Sequence, residues 1–189
     1  MCTVAMTPLV LIAGLIELST AIPYVLDIRR GKTYPAIVSW ATWLVLALIA
    51  TGASFSEGAV ASGVISSALV LECSIIILFS LEKAHFTYSL FDACCQFGAI
   101  LGLFMWWWTD NPMAALIFFV VIDATGALPT FRHAWRRPRE ETLYTFSLSI
   151  VGNALALAVV PVYTVPEILI PAYLLTVNTL LSGTIFFRK

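Results

Sequence analysis

Charge is what this sequence has least of. Of its 189 residues only 11% are Asp, Glu, Lys or Arg, while 60% are hydrophobic, and the mean hydropathy is +0.95. A soluble domain coats itself with about a quarter charged residues; this chain has too few, so most of its outer surface must face lipid. The formal net charge of −1 excludes nucleic acid as a partner, because phosphate binding needs a clustered basic surface. Metal ligands are scarce as well. Cys2, Cys73, Cys94 and Cys95 show neither metal-ligand spacing nor a disulfide framework, and three of them lie in apolar runs, where a thiol behaves as a small hydrophobe. The two histidines, His85 and His133, fall in connecting segments. With no Ser-His-Asp set and no paired histidines within an apolar run, the sequence offers no catalytic residue, no metal site and no cofactor, and the expectation is that the chain is not an enzyme. The last apolar run contains no lysine, which excludes a retinal Schiff base.

What the chain has in abundance is long apolar runs, at about 8–28, 36–54, 59–81, 87–108, 112–131, 142–161 and 166–187. A membrane-spanning helix needs roughly 20 apolar residues, and a membrane strand far fewer with strict alternation, so these runs predict an all-α integral membrane protein of seven transmembrane helices. No basic n-region or cleavage site precedes the first run, which therefore reads as a retained helix. Short polar interruptions separate the runs: Arg29 to Lys32, Ser54 to Gly58, Glu82-Lys83, Thr109 to Pro112, Arg132 to Glu141 and Val162 to Glu167. All ten basic residues follow runs one, three, five and seven, whereas the opposite connections hold only Glu57, Asp110 and Glu167. The positive-inside rule then puts the amino terminus outside and the carboxy terminus in the cytoplasm. Trp106, Trp107 and Trp108, at the outer end of run four, fit an interfacial aromatic belt.

A fixed interval recurs along the chain. Glu17 and Pro23 in run one match Asp123 and Pro129 in run five, each pair 106 residues from its counterpart. The same interval aligns Arg30 with Arg136, Ser39 with Thr145, Trp40 with Phe146 and Glu72 with Asn178. This predicts two three-helix repeats, 1–86 and 112–189, joined by a linker helix at 87–111. An odd linker inserts both repeats in the same orientation, giving parallel repeats about an axis along the membrane normal. Transporters built this way hold their substrate near the midplane, between the repeats.

The segment from Pro23 through Lys32 and Thr33 to Ala36 resembles the PQ-loop motif of the SWEET, SemiSWEET and cystinosin-like membrane transporters, and Pro129 to Glu141 resembles a weaker second copy. The resemblance covers nearly the whole chain as 3+1+3 helices. Tyr24 and Thr130 stand where the motif has glutamine, and Pro138 where it has a second lysine. Sugar-conducting members contact substrate through asparagines on the third and seventh helices, and here those places hold Glu72 and Asn178. The resemblance implies the fold and alternating access; these departures leave the sugar substrate behind.

Ionisable groups deep in a membrane are costly and are functional candidates by default. Glu17, Glu72 and Asp123 lie well inside their runs, with no basic residue at that depth, while Asp27 and Asp92 lie near run ends, where side chains reach polar partners. The expected substrate site is Glu72, Asn178, Trp40, Trp43 and Asn153, with Glu17 and Asp123 carrying protons and Pro23 and Pro129 supplying gating kinks. Acids without a base point to protons and to a cationic or neutral polar small solute as partners, with the lipid bilayer around them; a homo-oligomer is compatible with this pattern. The expected function is alternating-access transport of such a solute, coupled to protons. The alternative is a receptor or trafficking protein of the same fold that binds a ligand without moving it.

Overall fold

The computed structural model describes residues 8–32, 37–81, 90–109, 111–160 and 162–188; within these, the side chains at 38, 39, 91, 92, 95, 96, 99, 102, 103, 105, 106, 109, 126, 129, 133 and 140 are not described. Thr33, Ala36, Lys83, His85 and Asp110 therefore lie outside the described residues, as do the side chains of Ser39, Asp92, Trp106, Pro129 and His133.

Among the described residues the chain is all-helical, with no strand. The helices are α1 (Pro8–Ser19), α2 (Ala21–Arg29), α3 (Ile37–Ser56), α4 (Val60–Ser80), α5 (Leu90–Thr109), α6 (Pro112–Arg136), α7 (Leu143–Ala158) and α8 (Val165–Arg188), with a short 3-10 turn at Pro138–Glu140. They fall on the apolar runs to within a few residues. Four stretches, Pro8–Arg29, Val60–Ser80, Pro112–Arg136 and Val165–Arg188, are long and apolar enough to cross a membrane, which makes this a multi-pass membrane protein.

The helix ends have local causes. Gly31 (φ 70°) closes α2: its amide bonds Ile28 O at 3.0 Å and the Lys32 amide bonds Asp27 O at 2.9 Å. Gly58 (φ 71°) closes α3 in the same way, with its own amide on Phe55 O at 3.1 Å and the Ala59 amide on Ser54 O at 2.8 Å. Both are Schellman motifs, in which glycine takes the left-handed conformation that a Cβ would oppose. Between α1 and α2 the helix is interrupted at Thr20. Pro23 is the cause: without an N–H it cannot bond the Ser19 carbonyl four residues back. α6, by contrast, runs unbroken through position 129, so the two prolines that the repeat aligns differ in what they do to the backbone.

The packing is inside-out relative to a soluble protein. Along α1 and α2, Leu11, Ile12, Leu15, Ile22 and Leu26 are exposed, while Gly14, Glu17 and Thr20 are buried. This is the pattern of an apolar exterior facing lipid around an interior that holds the polar groups. The helices pair regularly. α3 packs along α4, and α7 along α8; α1 lies against α4, and α6 against α8. α1 also crosses to α7, α6 crosses to α3, and α4 meets α8. α5 rests on α6 and α3, with most of its described side chains exposed, Trp107 and Trp108 among them.

Small residues allow the closest approaches. Ser62 donates to the carbonyls of Pro166 (2.7 Å) and Glu167 (2.8 Å), and the Ala61 amide donates to Glu167 Oε2 at 2.7 Å. Glu167, expected from the sequence in an outer connection, is instead 5% exposed in the first turn of α8. Its carboxylate occupies the amino-terminal end of α4, where free amides and the helix dipole favour negative charge. In the sequence Glu167 borders a turn at the edge of an apolar run, which is why it reads as a loop charge.

Candidate functional site

A cavity of about 150 Å³ lies among α1, α3, α4, α6, α7 and α8. Glu17, Glu72, Asp123, Asn178, Trp40 and Trp43, drawn from both halves of the chain, all reach its wall. Asn153 does not: it is fully buried behind Glu17, which it contacts directly. Pro23 lies outside the lining, at the break between α1 and α2.

Each carboxylate is held by a hydroxyl donor from a different helix. On α1, Glu17 is 1% exposed and accepts from Ser149 of α7 through Oε1 (2.8 Å) and from the Asn153 amide through Oε2 (2.9 Å). On α4, Glu72 accepts from Thr20 through Oε1 at 2.5 Å. On α6, Asp123 accepts from Tyr173 of α8 through Oδ2 at 2.6 Å. Such hydrogen bonds offset part of the cost of burying a carboxyl group. Thr20 stands three residues beyond Glu17, at the break between α1 and α2, so the donor to Glu72 sits where the helix carrying Glu17 ends. Ser149 also accepts from Asn178 Nδ2 at 3.0 Å, so Glu17 and Asn178 are joined through one hydroxyl.

The Glu17 niche depends on close helix approach. A Cβ added at Gly152 of α7 would come within 3.1 Å of Ala13 O, Glu17 N and Glu17 Oε2. Only glycine lets α7 bring Ser149 and Asn153 onto the acid. Asn153 Nδ2 points at Glu17 Oε2 and at Ser149 O (2.9 Å), whereas its Oδ1 has no partner among the described residues. In this orientation Asn153 donates to Glu17. With its amide turned over, the free oxygen would accept from a protonated Glu17.

The aromatic wall holds Trp40 and Trp43 edge-on, with Tyr24 packed edge-on against Trp40 from outside the lining, both contacts with centroids 5.0 Å apart. Asp27, expected near a helix end, accepts from Thr142 at 2.8 Å and stays outside the cavity lining. Sequence reasoning missed Thr20, Ser149 and Tyr173. Ser149 and Asn153 are four apart on one helix face, and Thr20 follows Glu17 by three, spacings that could have flagged the first two. Nothing local marks Tyr173 as the donor to Asp123.

Among the described residues, no three His, Cys, Asp or Glu side chains come close enough together to hold one metal ion. No family model, curated protein or solved structure matches the chain. The fold and the site define a multi-pass membrane protein, all-helical in its described residues, with a largely apolar central cavity that three carboxyl groups reach.

Proposed function

We propose that this chain is a membrane transporter of a small polar solute, a divergent relative of the SWEET and PQ-loop carriers, working by alternating access and coupled to protons. In this reading all seven helical stretches span the bilayer, with the amino terminus outside, as two parallel three-helix repeats joined by α5. The exchange pattern of the packing supports it: replacing α1, α3 and α4 by α6, α7 and α8 turns α3 on α4 into α7 on α8, α1 on α4 into α6 on α8, and α1 on α7 into α6 on α3. Glu72 and Asn178, equivalent under the 106-residue interval, both line the cavity.

The observation that carries the reading is the cavity itself. Three carboxylates from three helices converge on it, and among the described residues no Lys, Arg or His lines it. A structural core has no use for three such groups, whose burial costs more than their hydrogen bonds return. A transport site does: each acid can bind and release a proton as water enters from one side or the other. Asn153, able to meet either form of Glu17, suits that role.

Reconstitution in liposomes tests the proposal. A solute flux driven by a pH gradient, abolished in Glu72→Gln or Asp123→Asn, is expected. Ligand binding without flux would overturn it in favour of a receptor of the same fold.

A further inference from the structure

We propose that the cavity selects a small organic cation bearing no carboxylate of its own, an amine or quaternary ammonium, and takes it up in exchange for a proton. This rests on the transport reading, and narrows it to one class of substrate.

Charge comes first. Glu17, Glu72 and Asp123 reach the cavity, and among the described residues no basic side chain lines it. Among the described residues, the other titratable groups set against these acids are Cys73, which lines the cavity, Tyr173, which donates to Asp123, and Tyr24, which packs edge-on against Trp40; none is a base. An interior of low polarity does not hold three uncompensated negative charges, so the empty site carries protons. A monovalent cation that replaces one proton leaves the buried charge unchanged. An amino acid brings a carboxylate as well as an ammonium, and nothing on the wall would pair with it. Among the described residues, Glu72 and Asp123 are each held through one oxygen, Oε1 and Oδ2, and the second oxygen of each is the one the ligand would meet.

The rest of the wall agrees with the charge. Trp40 and Trp43 line the same space, and indole rings are the preferred aromatic partners of ammonium groups. Much of the remaining lining is apolar, including Leu69, Phe119 and Leu174. That surface suits the methyl or methylene groups of an alkylammonium and would leave most of a sugar's hydroxyls unpaired. Size sets the limit. A cavity of about 150 Å³ is comparable to one that takes up benzene, so ligands of about six or seven heavy atoms fit and a disaccharide does not.

Choline and its uncharged analogue, in which carbon replaces nitrogen, differ in charge alone and make the test. Binding to the purified full chain is measured calorimetrically in weakly buffered solution, with glycine and glucose as further ligands. The expected result is binding of choline roughly tenfold or more tighter than its carbon analogue, with release of a proton, weakened in Trp43→Leu. Equal binding of the two, or preference for glycine or glucose, overturns the cation assignment. Choline binding without proton release overturns the exchange. Flux in liposomes is scored separately: movement of glucose or glycine with choline ignored leaves the transporter standing and removes its proposed substrate class, whereas choline binding with no flux of any solute keeps the selectivity and removes transport.

Discussion

The backbone amide of Ala61 donates to the carboxylate of Glu167 at 2.7 Å, and these two residues stand 106 positions apart. The same interval separates Glu72 from Asn178 and Glu17 from Asp123. Where two copies of a unit are related by a twofold axis, equivalent positions can touch only at that axis. The contact between the starts of α4 and α8 therefore marks where an axis between the proposed repeats would pass, and the cavity with Glu72 and Asn178 on its wall lies between the same two helices. A carboxylate there closes the free amide end of one helix with the first turn of its partner.

Removing that carboxylate should loosen the centre of the bundle. Glu167→Ala leaves the Ala61 amide without its acceptor and is expected to cost about 1–2 kcal/mol, the range for losing a helix cap. Glu167→Gln retains an acceptor oxygen and should lose less. Thermal unfolding of the detergent-solubilised protein checks the order: wild type, then Gln, then Ala.

Glycine at 152 should be required by contact, where glycine at 183 is not. A Cβ at Gly152 meets Glu17 and the Ala13 carbonyl at 3.1 Å, whereas nothing lies within 4 Å of one at Gly183. Gly152→Ala is expected to destabilise by about 1–3 kcal/mol through overpacking and to reduce flux by displacing Ser149 and Asn153 from Glu17. Gly183→Ala should leave the unfolding midpoint unchanged or raise it, since alanine favours the helix.

Pro23→Ala restores an N–H that can bond the Ser19 carbonyl and should make α1 and α2 one continuous rod. If the break serves gating, solute binding survives, the unfolding midpoint does not fall, and flux slows. Unchanged flux would make the break a tolerated irregularity.

The two faces of the bundle should label from opposite sides of the membrane. Arg30 and Glu57 are both exposed at the ends of successive helices, α2 and α3. Cysteines placed at 30 and 57 are expected to react with an impermeant reagent from the inside and the outside respectively. Labelling of both from one side would overturn the orientation.

Helix positions were legible in the sequence because hydropathy alone sets where a chain can lie in lipid, and the breaks after α2 and α3 fall at short polar segments that hold Gly31 and Gly58. The acids were legible for the same reason: Glu17, Glu72 and Asp123 stand out against apolar neighbours. Their donors were not. Ser and Thr are common in apolar helices, and only packing decides that Thr20 meets Glu72 or that Tyr173 meets Asp123. Asn153 stood out as polar, but its place behind Glu17, away from the cavity wall, follows from how closely Gly152 lets α7 approach. Glu167 was read as a loop charge because its partner, the Ala61 amide, lies 106 residues earlier and carries no side-chain signal.

Alternating access through the central cavity is tested most directly at position 178. Asn178→Cys, in a background with the native cysteines replaced, is reacted with an impermeant thiol reagent applied to one side of the membrane at a time. The account predicts labelling from both sides, with a bound solute or a pH gradient shifting reactivity from one side to the other. Labelling from neither side, or from one side under every condition, would contradict it.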